Sequence, residues 1–409
     1  MAGRRVVITG LGVVSSIGMG ASAFAEALRN GRSGFRPIQT FDTTGFPVAI
    51  AGEVPDFDAT RWLQRVDSAD LGRASRFAAV AARMAIEDAG TNEQILADGR
   101  CGVSVGTTDG ESQLIDLLMS EWVTKGPQHL SASWVPKVSA SHLAVAVARE
   151  LDLHGEVATI SNACAAGNYS IGHAFDLISS GEADCMVCGG ADSVCRKNYA
   201  GFFKVGAITP TVVRPFDLNR QGILTGEGSG MLYLETLESA QQRGAHIYAE
   251  VLGYGLTSDA NQMVVPDPSS IARCIRLAHA HAGIAPDQVD YICAHGTGTK
   301  VNDVAETAAL REAFGDRLPP TSSIKSMIGH TMGAASALGA IACALSITHS
   351  FLPPTINFET PDPECVTDCI PNRAREARPD VVENHGFAFG GHNAIVILGR
   401  ESWNTERLH

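Results

Sequence analysis

The string Ser161-Asn162-Ala163-Cys164-Ala165-Ala166-Gly167-Asn168 puts a cysteine between a β-prone run, Val157 to Ile160, and residues that recur at helical intervals (Tyr169, Gly172, His173, Asp176, Leu177). A cysteine at such a junction lies at a helix N-terminus, where unpaired backbone N–H groups and the helix dipole favour thiolate over thiol. The chain has ten cysteines, and most free cysteines pack as small hydrophobes, so position alone does not single out Cys164. Its company does. Cys293-Ala294-His295-Gly296-Thr297-Gly298-Thr299 and Ser323-Ile324-Lys325-Ser326-Met327-Ile328-Gly329-His330 each carry a histidine in a turn rich in Gly, Thr or Ser. One nucleophile and two loop imidazoles suggest covalent acyl transfer.

The elements that must hold these turns alternate between strand and helix, which implies α/β layering. The pattern predicts a helix over 73–89 ended by Gly90, a strand over 101–106, a helix over 271–282 stopped by Gly283, a strand over 289–294, and a helix over 334–350 closed by Pro353-Pro354. Val7-Ile8-Thr9-Gly10-Leu11-Gly12 has a counterpart in Glu250-Val251-Leu252-Gly253-Tyr254-Gly255, so two similar halves, 1–250 and 251–409, are expected. Gly10-Leu11-Gly12 could open a dinucleotide fingerprint, but the third glycine is missing, with Ser15 in its place. The glycines there are better read as letting strand and helix approach closely.

Composition narrows the class. With 409 residues, 45% of them hydrophobic, the chain can bury a large core, and the 42 glycines are dispersed among apolar runs, as in tight turns. A net charge of −13 argues against nucleic acid as a partner, while a local basic patch could still dock an acidic carrier. The scattered cysteines are no secreted disulfide framework. Cys185 and Cys188 fall in a predicted strand, where an odd separation puts the thiols on opposite faces, and nothing completes a zinc site, so no metal is expected. The apolar run after Arg4-Arg5 is broken by Thr9, Gly10 and Gly12, unlike a signal peptide, and no run approaches the ~20 residues of a membrane span. A cytoplasmic protein is expected.

Taken in order, the Val6 to Gly12 strand, the Cys164 elbow, the His295 turn, the Lys325/His330 turn and Phe389-Gly390-Gly391-His392-Asn393 resemble the elongating β-ketoacyl-acyl-carrier-protein synthases, Cys-His-His condensing enzymes, over almost the whole chain. The resemblance implies the duplicated, five-layer αβαβα thiolase-like fold, an insertion at about 107–142 that helps build the dimer and acyl pocket, and no cofactor beyond the phosphopantetheine arm of the carrier protein. Trp122, Trp134 and Pro136 are candidates there for buried contacts. It implies a homodimer, with a heterodimer containing a chain-length-factor-like subunit as the alternative.

Condensation needs an acyl acceptor, a way to decarboxylate malonyl thioester, and stabilisation of the oxyanions. By resemblance, Cys164 accepts the acyl group, and the N–H groups of Cys164 and Phe389 form an oxyanion hole beside Gly390 and Gly391. His295 and His330 bind the malonyl carbonyl, Lys325 and Glu306 make a supporting ion pair, Thr297 and Thr299 bond the phosphopantetheine arm, and the loop carrying Phe387 and Phe389 gates the acyl pocket, with Phe389 as the gate. Arg61, Arg65, Arg73, Arg76 and Lys204 are candidates for carrier docking. Gln221 stands where relatives usually have aspartate, Ile223 where they have phenylalanine, and Ala388 where they have glycine. Ile223 enlarges the space near Cys164, and these departures tilt the reading from fatty acid synthesis toward a polyketide or polyene pathway. A non-catalytic chain-length-factor-like subunit is the rival reading, opposed by the Cys-His-His set, and a degradative thiolase would need a second catalytic cysteine that these motifs do not offer.

Overall fold

The computed structural model describes residues 3–91, 96, 99–365 and 367–403. Ten strands of the main sheet carry the architecture: β1 (Val6–Ser15), β2 (Cys101–Gly106), β3 (Val157–Ile160), β4 (Cys185–Asp192), β5 (Gly228–Thr236), β6 (Ala249–Ser258), β7 (Tyr291–Cys293), β8 (Thr321–Ser322), β9 (Val381–Ala388) and β10 (His392–Gly399). Their order is β3-β2-β4-β5-β1 in one half and β8-β7-β9-β10-β6 in the other. The second set repeats the first strand for strand. Directions repeat too: β2 runs parallel to β3 and β4 as β7 does to β8 and β9, and the other neighbours within each half are antiparallel. The halves join where β1 and β6 pair antiparallel, with Val6 opposite Val251.

Burial explains the layers. Phe77, Leu143, Val147, Val103 and Tyr233 bury one outer face, bringing the helices Arg73–Ala89 and His142–Leu151 onto the first half. Ile271, Ile275, Leu310, Ile292 and Ile395 do the same for Pro268–Ala282 and Lys300–Phe314 on the second. Between the halves, Ile171 and Ile178 of Ala166–Ser180 and Leu338 and Ile341 of Ala334–His349 pack with Ile8, Leu234, Val382 and Val396. The result is the five-layer αβαβα arrangement of the thiolase-like fold.

The repeated glycines have a steric reason. A Cβ on Gly10 or Gly12 would fall 2.1 or 1.7 Å from the carbonyl oxygen of Ala85 or Ala81 in Arg73–Ala89. On Gly255 it would fall 2.4 Å from the Cys274 carbonyl of Pro268–Ala282. Both pairs therefore let an outer helix lie against a strand; Gly10-Leu11-Gly12 sits within β1 rather than in a nucleotide-binding turn.

Sequence patterns located these elements well. Arg73–Ala89 ends at Gly90 in the left-handed region (φ 60°) and Pro268–Ala282 at Gly283 (φ 64°). The latter starts three residues earlier than periodicity suggested, because Asp267 accepts from the Ser269 N–H and Pro268 fits the first helical position. The last long helix ends at His349, with Ser350 (φ 54°) rather than Pro353 stopping it. Cys185 and Cys188 do point to opposite faces, the former into the outer apolar layer and the latter into the central one.

The insertion departs from expectation. Its helix Ser112–Lys125 leaves Leu117 57%, Trp122 47% and Val123 81% exposed, Pro136 is exposed, and Trp134 is only half-buried, so within one chain these side chains do not make the buried contacts anticipated for them. No helix among the described residues is long and apolar enough to cross a membrane.

Candidate active site

The chemistry-bearing turns all lie at the C-terminal ends of parallel strands. Cys164 follows β3 through a single 3-10 turn, Ala163–Ala165, which leads into Ala166–Ser180; Ala163 adopts φ 47°, an uncommon conformation for a residue with a Cβ. His295 follows β7, and Lys325 and His330 follow β8 by way of the turn Lys325–Ile328. Cys164, His295 and His330 open onto one cavity of about 700 Å³, which Thr297, Thr299, Ile223, Phe387 and Phe389 also line.

His330 is held by its backbone: its N–H donates to the Leu224 carbonyl at 2.8 Å, and its own carbonyl accepts from Gly226 at 2.8 Å. The Met332 N–H donates to its Nδ1 at 3.2 Å, so the ring proton of the neutral form sits on Nε2. The His295 ring lies 5.4 Å from that of His330, nearly perpendicular to it. Burial first, then the charge of Lys325, pushes both imidazoles well below their usual range, keeping them neutral. Two neutral imidazoles facing one cavity can donate hydrogen bonds to a developing oxyanion without surrendering a proton.

Lys325 and Glu306 do cooperate, though without the expected direct ion pair. Lys325 Nζ donates to the His295 carbonyl at 2.6 Å, while the two oxygens of Glu306 accept from the N–H groups of His295 and Gly296, each at 2.8 Å. They grip opposite sides of one turn. The side chains that meet Glu306 are His385, with Nδ1 3.3 Å away, and Asn302, whose Nδ2 donates at 3.4 Å. Burial pulls Lys325 below its ordinary value, and the nearby Cys293, Glu306 and Cys164 oppose that fall.

Cys164 corrects the first expectation of electrostatics. It is placed at the predicted helix start, but burial drives its thiol up to about 12, with Lys325 opposing and Asp192 and Asp109 adding to the rise. Enclosure thus raises the thiol even at a helix start.

Thr299 caps the helix Lys300–Phe314, accepting from the Asn302 N–H, and its hydroxyl meets that of Thr297 at 2.9 Å. Turn chemistry thus accounts for part of both residues, and both still face the cavity. Gly390 (φ 90°) and Gly391 (φ 75°) form the β9–β10 turn in left-handed conformations; the Gly390 N–H donates to Met263 and a Cβ on Gly391 would lie 2.7 Å from Asp259. Tight turn geometry is their first requirement. Phe389 is 42% exposed and its ring packs 5.6 Å from Phe202, which itself lies 6.4 Å from the His330 ring.

The candidate docking residues do not form one patch. Arg73 turns inward to pair with Glu227, and Arg76 donates to the Ser68 carbonyl, whereas Arg61 is mostly exposed beside Asp58, Arg65 pairs with Asp152, and Lys204 is exposed next to the cavity-lining Val205. Sequence reasoning missed Phe202, the loop Met263 to Val265 at the cavity, and His385 with Glu383. The last two carried a signal, since charged residues two apart on a strand share a face, and this strand is buried from Val381 to Phe387. Among the described residues no cluster of three or more His, Cys, Asp or Glu is disposed to hold a metal.

The N-terminal domain model of β-ketoacyl synthase matches residues 3–240 and the C-terminal domain model residues 248–359. A 3-oxoacyl-[acyl-carrier-protein] synthase 2 of Synechocystis is 39% identical over 406 residues, covering 97% of this chain and 98% of its own. The solved ishigamide ketosynthase/chain length factor matches at 53% identity with a TM-score of 0.96, over 98% of this chain and 100% of that one. The AntDE:AntF complex, a type II PKS acyl-carrier protein with its ketosynthase bound to the hexaketide, matches at 33% identity with a TM-score of 0.90, over 97% and 100%. With its duplicated fold, its Cys-His-His cavity and these matches together, the chain belongs to the β-ketoacyl synthases, the acyl-transferring condensing enzymes.

Proposed function

We propose that the cavity joins an acyl chain held on Cys164 to a malonyl unit held on a carrier protein. Cys164 sulfur attacks the incoming acyl thioester, the C–S bond to the phosphopantetheine arm breaks, and the thiol proton leaves with the arm as its free thiol. Malonyl thioester then loses CO2, and the electron pair of the broken C–C bond becomes an enolate whose oxygen accepts hydrogen bonds from His295 and His330. The enolate carbon attacks the Cys164 thioester carbonyl, a new C–C bond forms, the C–S bond breaks with its electron pair going to sulfur, and the Cys164 thiolate takes a proton from solvent to return to the thiol. N–H groups of Cys164 and Phe389 would hold the oxyanion of the two acyl-transfer steps. No cofactor besides the carrier's own arm is required, and that arm passes Thr297 and Thr299.

The observation that carries this reading is the convergence of Cys164 with two neutral histidines, one of them with its Nε2–H free of the Nδ1 contact to Met332. The same convergence opposes a non-catalytic partner subunit. A polyketide or polyene pathway is favoured by Ile223 in the cavity wall and by similarity to the ishigamide ketosynthase/chain length factor and to the AntDE:AntF complex. The exposed apolar face of Ser112–Lys125 suits a second subunit, either another copy or a chain-length-factor-like chain. The domain boundary near residue 250 and a cytoplasmic location belong to the same proposal.

His295→Ala and His330→Ala test it. Each is expected to keep transfer of acyl groups to Cys164 while lowering CO2 release from malonyl carrier protein by roughly a hundredfold to a thousandfold. A variant that decarboxylates at the wild-type rate removes that histidine from the mechanism.

A further inference from the structure

Behind the His295 turn, a line of ionisable side chains runs away from the cavity into the protein. Glu306 Oε1 meets His385 Nδ1 at 3.3 Å, His385 Nε2 meets Glu383 Oε2 at 2.9 Å, and the other oxygen of Glu383 meets Nε2 of His279 on the outer helix Pro268–Ala282. The side chains of Glu306, Glu383 and His385 are wholly buried. A neutral imidazole has one N–H and could satisfy only one of its two carboxylate neighbours, whereas an imidazolium donates to both. A cation between two buried carboxylates also stabilises both.

We propose that His385 is a positioning residue of the condensing site: its imidazolium fixes Glu306, whose two oxygens hold the His295 and Gly296 N–H groups, and thereby sets the His295 ring for the malonyl carbonyl. His385 does not line the cavity, so it acts through Glu306. The inference rests on the condensing role proposed for His295.

The charge state has a pH consequence. Burial alone would lower His385, yet the hydrogen bonds to Glu306 and Glu383 outweigh it and hold the ring at about 9. Raised above its unfolded value near 6.5, this group contributes stabilisation that is complete below that value and is lost as pH rises through about 9. Other titratable groups face the same cluster. His279 stands behind Glu383, Cys293 of β7 and His295 both feel the charge of His385, Lys325 grips the far side of the turn, and Cys343 of Ala334–His349 donates to the Glu383 carbonyl. Lys325 holds the His295 carbonyl from the other side, so loss of the His385 proton loosens the turn from the Glu306 side.

The test is the pH profile of CO2 release from malonyl carrier protein by the wild-type enzyme, His385→Gln, and the charge-balanced double variant His385→Gln/Glu383→Gln. Wild type should show an alkaline limb near pH 9 in kcat, over a range in which acylation of Cys164 does not fall. At pH 7 both variants should lose at least tenfold in kcat with KM changed less than twofold, and the double variant, which melts closer to wild type than the single one, should lack the alkaline limb. Wild-type kcat in a folded variant, or an unchanged limb, overturns the proposal. Should neither variant fold, the wild-type profile decides, and a flat kcat through pH 10 overturns it. A wild-type enzyme that neither acylates Cys164 nor releases CO2 at any pH would instead sink the condensing reading itself.

Discussion

The two halves of this protein are the same scaffold with different chemistry at the strand ends. After β2, the turn at Thr107 to Asp109 is held by the buried carboxylate of Asp192, which accepts from the N–H groups of Thr108 and Asp109 at 2.8 and 3.0 Å and from the Thr107 hydroxyl at 2.7 Å. After β7, at the equivalent place, the His295 turn is held by the buried carboxylate of Glu306. The counter-charges differ. Glu306 faces the His385 imidazolium, while Lys197 pairs at 2.6 Å with Asp109 instead of Asp192, whose carboxyl is pushed up to about 7 by burial and by Asp109. After the third strands, the first half presents Cys164 and the second presents Lys325 and His330. Repetition supplies the platform, and Cys164, His295 and His330 come together where unlike ends of the two copies meet at one cavity.

The largest effect that could break this comparison is in the carboxylates. Glu306→Ala strands the His385 charge and two backbone N–H groups, and should cost about 3–5 kcal/mol. Asp192→Ala also strips donors of their acceptor but relieves repulsion from Asp109, so about 1–3 kcal/mol is expected. Denaturant melts of both variants check this, and equal losses would mean that the two turns are supported alike.

A second effect sharpens how one half governs the other. With its thiol near 12, substrate-free Cys164 should alkylate about tenfold faster for each pH unit from 7 to 10. Lys325→Met should slow alkylation across that range, because the second half's cation then no longer favours the thiolate. A plateau already reached near pH 7 would show that the helix terminus, not enclosure, dominates. The smallest expected effect concerns the shared wall: Ile223→Phe should exclude bulky or rigid acyl chains by about 1–3 kcal/mol, a tenfold to hundredfold change in selectivity measured as acylation rates, while sparing CO2 release. An unchanged ratio of rates would take Ile223 out of the acyl path.

Periodicity and helix-stop glycines were enough to read most elements, because the amphipathic outer helices bury one face and stop at residues such as Gly90 and Gly283. The glycine repeat disclosed the duplication, since each copy needs a bare strand under its outer helix. The sharing of one cavity by Cys164, His295 and His330 was legible from short motifs read together. Partners separated by long stretches of chain were not: no local pattern says that Glu306 meets His385, 79 residues away, in place of Lys325, or that Phe202 reaches Phe389. Nor could a helix-terminus argument weigh the burial that opposes it at Cys164, because enclosure arises from both halves.

The division of labour is that the first half's Cys164 carries the acyl group while the second half's imidazoles act only in the later loss of CO2, and peptide-resolved mass spectrometry after incubation with acyl carrier protein tests it. One acyl group per chain is expected, on Cys164 alone among the ten cysteines, present in wild type and in His295→Ala but absent from Cys164→Ala. Stoichiometric acylation of Cys164→Ala at another cysteine would contradict it.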